Sequence, residues 1–174
     1  MTPRIALIGG QGWPLTETMA GLPALARRLF ALGIETETFV HDARQVIRDY
    51  LWGHPWIGLV GDSLGAGAAA LYAADQHPHS VQFVGGFQPS AYDPIGNGPL
   101  NHRVIVVPSN VQVAHCIWDP VFADTIGLGN ARYIALSHKD TALTVTEHRG
   151  PHPDDWGFAQ DLMVMHIQRA LRNA

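Results

Sequence analysis

Along the first half of the chain, short apolar runs alternate with longer stretches of helical periodicity. That alternation predicts strands and helices in turn. Arg4 to Gly9 is a β-type run ending in Gly9-Gly10-Gln11-Gly12. From about Thr16 to Leu32, Met19, Leu22, Leu25, Ala26, Leu29 and Phe30 fall near helical spacing, and Gly33 is a stop signal after Arg27 and Arg28. Ile34 to Val40 alternates Ile, Thr, Thr and Val against Glu35 and Glu37, a half-buried strand with Phe39 out of phase. Asp42 is the expected N-cap of a helix over about Ala43 to Trp52, which Gly53 ends. Trp56 to Val60 reads as a buried strand, Ala66 to Ala74 as a small-residue helix ending near Pro78, and Val81 to Phe87 as the next strand.

The second half is richer in β-type runs, at Val104 to Val107 and Val113 to Trp118. Arg132 to Leu136 and Ala142 to Glu147 flank the polar turn Ser137-His138-Lys139-Asp140, which predicts a hairpin. An amphipathic helix over about Asp155 to Leu171 closes the chain, with Leu162, Met163, His166, Ile167, Ala170 and Leu171 on one face. There is no internal repeat and no low-complexity linker. The expected fold class is α/β: a mostly parallel central sheet with helices on both faces, in one domain spanning residues 1–174.

Composition narrows the function more than the fold. With 174 residues, 47% apolar and 15% charged, the chain can bury a sizeable core and is not disordered. Ten arginines, a single Lys139 and a net charge of −4 leave no basic run, so no nucleic-acid partner is expected. The single cysteine, Cys116, cannot form an intrachain disulfide and sits in an apolar run, where a buried, inert thiol is expected. No apolar run approaches the roughly 18 residues of a membrane span. Ile5 to Ile8 is too short for a signal-peptide core, so a soluble, cytoplasmic protein is the default expectation.

One motif carries chemistry. Gly61-Asp62-Ser63-Leu64-Gly65 matches G-x-S-x-G between a buried strand and a small-residue helix. A sharp strand-to-helix turn strains the serine backbone and demands small neighbours, which Gly61 and Gly65 supply. Ala66, Gly67 and Ala68 allow the helix to approach the sheet closely. The serine hydroxyl would then stand above the sheet, with the Leu64 N–H at the helix start facing a developing oxyanion. On these residues, and more loosely on Gly9 to Gly12 and the C-terminal third, the chain resembles the α/β-hydrolase superfamily. The likeness is to its small, lidless members such as cutinases and minimal lipases or esterases.

That resemblance implies the order Ser, acid, His, with acid and base in loops after later strands. It makes Ser63 the nucleophile and Asp119, after Trp118 and before Pro120, the acid, with Asp124 in reserve. The base would be His152, in a loop stiffened by Pro151 and Pro153. His148 is the alternative, and His138 reads as a solvated turn residue. By position, Gln11 resembles the second oxyanion donor, followed by Gly12. Trp13, Trp118 and Trp156 flank these loops and would line the substrate site.

Competing patterns fail on their details. Hydrolases named for Gly-Asp-Ser-Leu usually carry it after the first strand with a late Asp-x-x-His, whereas here it follows the third and no histidine has an Asp three residues before it. Gly65-x-Gly67-x-x-Ala70 lacks the acidic residue a dinucleotide site needs near Phe83 to Gln88. His148 and His152 are four apart, but Gly150 and Pro151 oppose a helix, and no metal is expected. The sequence therefore predicts a serine esterase for small or polymeric carboxylic esters, needing no cofactor. A thioesterase or amidase with the same triad, or an inert binding protein of this fold, are the alternatives.

Overall fold

A computed structural model describes residues 2–10, 21–93, 98–100, 104–118, 131–147 and 156–173. Its frame is a six-stranded sheet made of β1 (Arg4–Gly9), β2 (Glu35–Val40), β3 (Ile57–Asp62), β4 (Val81–Phe87), β8 (Val111–Trp118) and β10 (Ala142–Glu147). The strand order is β10-β8-β4-β3-β1-β2 and every pairing is parallel. The order reverses at β1, which lies between β2 and β3. Such a switch point leaves a crevice beyond the carboxyl ends of the strands.

Because both faces are covered, the central strands are apolar on both sides rather than alternating. Ile5 and Leu7 of β1, Val60 and Phe83 pack under α1 (Leu22–Ala31) and α4 (Trp156–Arg172), against Leu22, Leu25, Leu29, Met163 and Ile167. Ala6, Ile8, Leu59 and Val84 face the other way, onto α2 (Arg44–Leu51) and α3 (Leu64–Ala73), against Ile47, Leu51 and Ala68 to Ala70. A short 3-10 turn over Ala74–Gln76 ends α3. The expected α/β class, with a mostly parallel sheet and helices on both faces, is what forms.

Two expectations change. Arg132 and Glu147 do not bound a hairpin. Instead β9 (Arg132–Ala135) pairs in parallel with β7 (Val104–Val107) in a separate two-stranded sheet, while β10 joins β8 in the main one. The reason lies in burial. Tyr133 and Ala135, with Ile105 and Val107, need a core face on the α3 side, which pairing with the exposed edge strand β10 would not provide. The helix after β2 is also capped differently, with Ala43 rather than Asp42 at the cap and no side-chain cap bond. β2 itself is an edge strand whose one buried side chain is Phe39, while Val40 is exposed. A further antiparallel pair, β5 (Ala91–Asp93) and β6 (Gly98–Leu100), lies beyond β4. Among the described residues no helix is long and apolar enough to cross a membrane.

Candidate active site

All six main-sheet strands point their carboxyl ends the same way, so their ends form one edge. The register sets the levels: Asp62 stands beside Phe87, Phe87 beside Ile117, and Trp118 beside Glu147. Ser63 is therefore level with the last residues of β8 and β10. From β3 to β8 is two strand spacings, about 10 Å, and to β10 three, about 14 Å.

Ser63 has φ 53° and ψ −118°, a conformation that L residues rarely adopt and that costs on the order of 1–3 kcal/mol. Backbone bonds hold it there. Its N–H donates to the Phe87 carbonyl at 2.9 Å, and its carbonyl accepts from Ala66 N–H at 3.1 Å and Ser90 N–H at 3.0 Å. The residue after β4, Gln88, is also at positive φ (45°) and donates its N–H to the Ile117 carbonyl at 2.8 Å. Strain thus sits at two adjacent strand ends, pinned by bonds across β3, β4 and β8.

The motif glycines are required by space. A Cβ on Gly61 would lie 2.1 Å from the Gly65 carbonyl, and one on Gly65 would lie 2.0 Å from the Ile8 carbonyl oxygen. The start of α3 therefore rests directly on the ends of β1 and β3. Leu64, buried at the first position of α3, offers one of the N–H groups left over at a helix start. Behind the turn, Tyr133 Oη donates to the Ala66 carbonyl at 2.7 Å and lies 3.4 Å from that of Gly85, bracing α3 against β4. Burial pushes the Tyr133 phenol well above its ordinary pKa.

At the end of β1, a Cβ on Gly10 would lie 3.0 Å from Ser63 Cβ, 3.0 Å from the Asp62 carbonyl oxygen and 3.6 Å from Asp62 Oδ2. Gly10 thus sits close beside the serine, too close for a side chain to fit between them without adjustment. Asp62 is partly accessible but densely surrounded, and burial pushes its carboxyl up to about 8. Sequence reading passed over it as the middle of a motif. Its position between a buried strand and the serine was the available signal.

Of the other predicted residues, Trp118 ends β8, half-buried on the α3 side, with its indole Nε1 buried and unpartnered. Trp156 opens α4. Gln11, Trp13, Asp119, Asp124, His148 and His152 lie outside the described residues. His138 is exposed in the turn before β10, at the edge of the sheet opposite Ser63, as a solvated residue should be. Cys116 is free and buried, and burial first of all pushes its thiol up to about 12, so it is inert at neutral pH. No cluster of three metal-ligating side chains occurs among the described residues.

No family model and no curated protein matches the chain. A solved structure does: a candidate hydrolase of the alpha/beta superfamily from Xanthomonas campestris pv. campestris. The likeness covers 97% of this chain and 99% of that one, at 17% identity and a TM-score of 0.57. Strand order, the strained serine between β3 and α3, and this full-length likeness together give the chain the α/β-hydrolase fold.

Proposed function

We propose that this protein, as one domain over residues 1–174, is a serine hydrolase of carboxylic esters that works through an acyl-enzyme on Ser63. The observation that carries the reading is the Ser63 backbone, strained at φ 53° yet held by backbone hydrogen bonds to Phe87, Ala66 and Ser90. Strain so thoroughly braced at a strand end is the mark of a residue whose side chain must be presented in one direction.

In this mechanism His152 takes the Ser63 hydroxyl proton as Oγ attacks the ester carbonyl carbon. The carbonyl electron pair moves onto oxygen, where the Leu64 and Gln11 N–H groups receive the charge. His152 then gives its proton to the departing alcohol. Water, activated by the same imidazole, releases the acid and restores Ser63. Asp119 orients the imidazole and stabilises its charged form. No cofactor enters any step. Trp13, Trp118 and Trp156 supply an apolar rim for the acyl chain or a polymer surface.

Chain reach supports His152 over His148. Glu147 ends three strands from β3, about 14 Å away. His148 is a single residue beyond it, whereas five residues lead to His152, enough for about 17 Å of extended chain. Asp119, one residue past Trp118, starts two strands from β3.

The test is labelling by a fluorophosphonate and hydrolysis of short-chain p-nitrophenyl esters, with Ser63→Ala as the control. Labelling and turnover that both vanish in Ser63→Ala support the reading, and a wild type that does neither refutes it in favour of a binding protein. Turnover of acyl thioesters or anilides well above that of matched esters would reassign the substrate.

A further inference from the structure

Gln88, the second strained residue at this edge, has no part in the mechanism above. Among the described non-glycine residues only it and Ser63 have positive φ, here 45°. It also precedes Pro89, whose ring pushes the residue before it towards extended backbone. The conformation therefore opposes two local preferences, and hydrogen bonds on either side of Gln88 sustain it.

Those bonds belong to two peptide groups. The Phe87–Gln88 group accepts from Ser63 N–H at 2.9 Å and donates to the Ile117 carbonyl at 2.8 Å. The Pro89–Ser90 group accepts from Ala131 N–H at 3.1 Å and donates to the Ser63 carbonyl at 3.0 Å. Each group thus holds Ser63 on one side and the β8–β9 side of the molecule on the other. Ile117 is the last residue but one of β8, and Ala131, fully buried, immediately precedes β9. The chain that leaves after Ile117 and returns at Ala131 carries Asp119, and both of its ends are tied to the turn that grips the serine. An extended strand would carry Ser90 about 10 Å past Phe87. Instead both residues bond the same Ser63, so the chain folds back between them, at Gln88 and Pro89. The Pro89 ring fixes its own φ near the usual negative value, which leaves the positive φ to Gln88.

We propose that Gln88 is a positioning residue of the Ser63 site: its positive-φ turn fixes the serine against both ends of the segment that carries Asp119. The inference rests on the reading of Ser63 as the nucleophile and Asp119 as the acid. Acyl transfer needs the serine hydroxyl, the imidazole and the orienting carboxylate aligned together, and a misplacement of about 1 Å can cost a hundredfold. Ser63 follows β3 and Asp119 follows β8, with β4 between those strands, so the end of β4 sets their separation. A residue averse to positive φ would swing the Pro89–Ser90 group away and release Ser63 and Ala131 together. The device is backbone, so glycine, which takes positive φ freely, can stand in for Gln88.

The experiment is kcat and KM for p-nitrophenyl acetate at neutral pH, corrected with Ser63→Ala, for the wild type, Gln88→Gly and Gln88→Val. Circular dichroism establishes that each chain is folded, and rates are expressed per serine titrated to completion with a fluorophosphonate. Gln88→Gly is expected to keep kcat within about twofold of the wild type. Gln88→Val, β-branched and an outlier at positive φ, is expected to lose about 10–100-fold in kcat with KM little changed. Lower stability alone would leave kcat per titrated site untouched. Gln88→Thr repeats the comparison if the valine variant does not fold. Wild-type kcat in a folded β-branched variant, or an equal loss in Gln88→Gly, overturns the proposal. So does failure of both β-branched chains to fold, which makes the turn a requirement of folding and not of position. Absence of Ser63-dependent turnover and labelling in the wild type is a separate result, which removes the acyl-enzyme reading and this inference with it.

Discussion

Replacing Gly65 by alanine tests whether the serine turn needs a glycine for space or for flexibility. Gly65 lies in the first turn of α3 and has no positive φ, so its backbone suits any residue. On propensity alone, alanine would stabilise the helix by up to about 1 kcal/mol. The added methyl, however, would lie 2.0 Å from the Ile8 carbonyl oxygen, 2.7 Å from its carbon and 2.8 Å from the Gly9 oxygen. Ordinary carbon–oxygen contacts begin near about 3.3 Å, so α3 must lift from β1 by roughly 1 Å or more. Both obstacles are backbone in a central strand, and no rotamer change relieves them. Overpacking of this kind costs about 1–3 kcal/mol and occasionally more, and a clash against sheet backbone belongs at the top of that range. The net loss is about 2 kcal/mol, a fall in Tm of roughly 4–8 °C for a chain of this length. Lifting α3 also moves the Leu64 N–H, so ester turnover should fall by about 10²–10³, as when an oxyanion donor is removed. The control is Gly157→Ala in α4, where nothing lies within 4 Å of the added methyl. That variant should gain a fraction of 1 kcal/mol. Urea unfolding followed by circular dichroism measures both. Wild-type stability and turnover in Gly65→Ala would refute the claim that direct contact between α3 and β1 shapes the turn.

Three further outcomes follow from the same geometry. His152→Ala should lower kcat/KM by several orders of magnitude while His148→Ala does not, and the reverse in p-nitrophenyl ester assays would reassign the base. His115 is fully buried, stacked on His166 with ring centroids 3.9 Å apart, and neither of its ring nitrogens has a partner. Burial first, and His166 second, hold its pKa down to about 3. The unfolded chain takes up a proton there near pH 6.5 and the folded one does not, so stability is full above pH 6.5 and falls with pH from there towards 3. The loss attributable to His115 between pH 6.5 and 4.5 is about 2–3 kcal/mol. His115→Phe should remove it, and an unchanged acid dependence of the urea midpoint would contradict this account. Tyr133→Phe keeps the ring over Gly86 but deletes the hydroxyl that donates to the Ala66 carbonyl, and should cost about 1 kcal/mol in urea unfolding.

What was legible in the sequence was local. The ends of β1, β4 and β7 fall where periodicity and glycine signals put them, because each is a short apolar run with a sharp boundary. The serine turn was legible too, since a buried strand, two glycines and a small-residue helix are consecutive. The hairpin failed because two strands joined by a polar turn look the same whether they pair with each other or not. Parallel partners such as β7 and β9 lie far apart in the chain, and the burial that selects them belongs to the assembled core. Asp42 was misread for a similar reason: a residue type that favours caps says where one is possible, but the chain's exit from β2 decides which residue stands there.

The site divides along the same line. Ser63 and Leu64 follow from a pentapeptide, and Gly10 from a glycine turn. The nearness of Gly10 to Asp62 and Ser63 is a contact between the ends of β1 and β3, which no spacing reveals. Parallel strands make that contact unavoidable. Once β1 and β3 are neighbours in register, with Ile8 beside Gly61, the residues just past their ends must share one space. Glycine past the end of β1 is what that closeness favours, since a Cβ there would meet the Asp62 carbonyl oxygen and Ser63 Cβ at 3.0 Å. A residue outside the motif is thus constrained by it simply by following a strand beside the one that carries the serine.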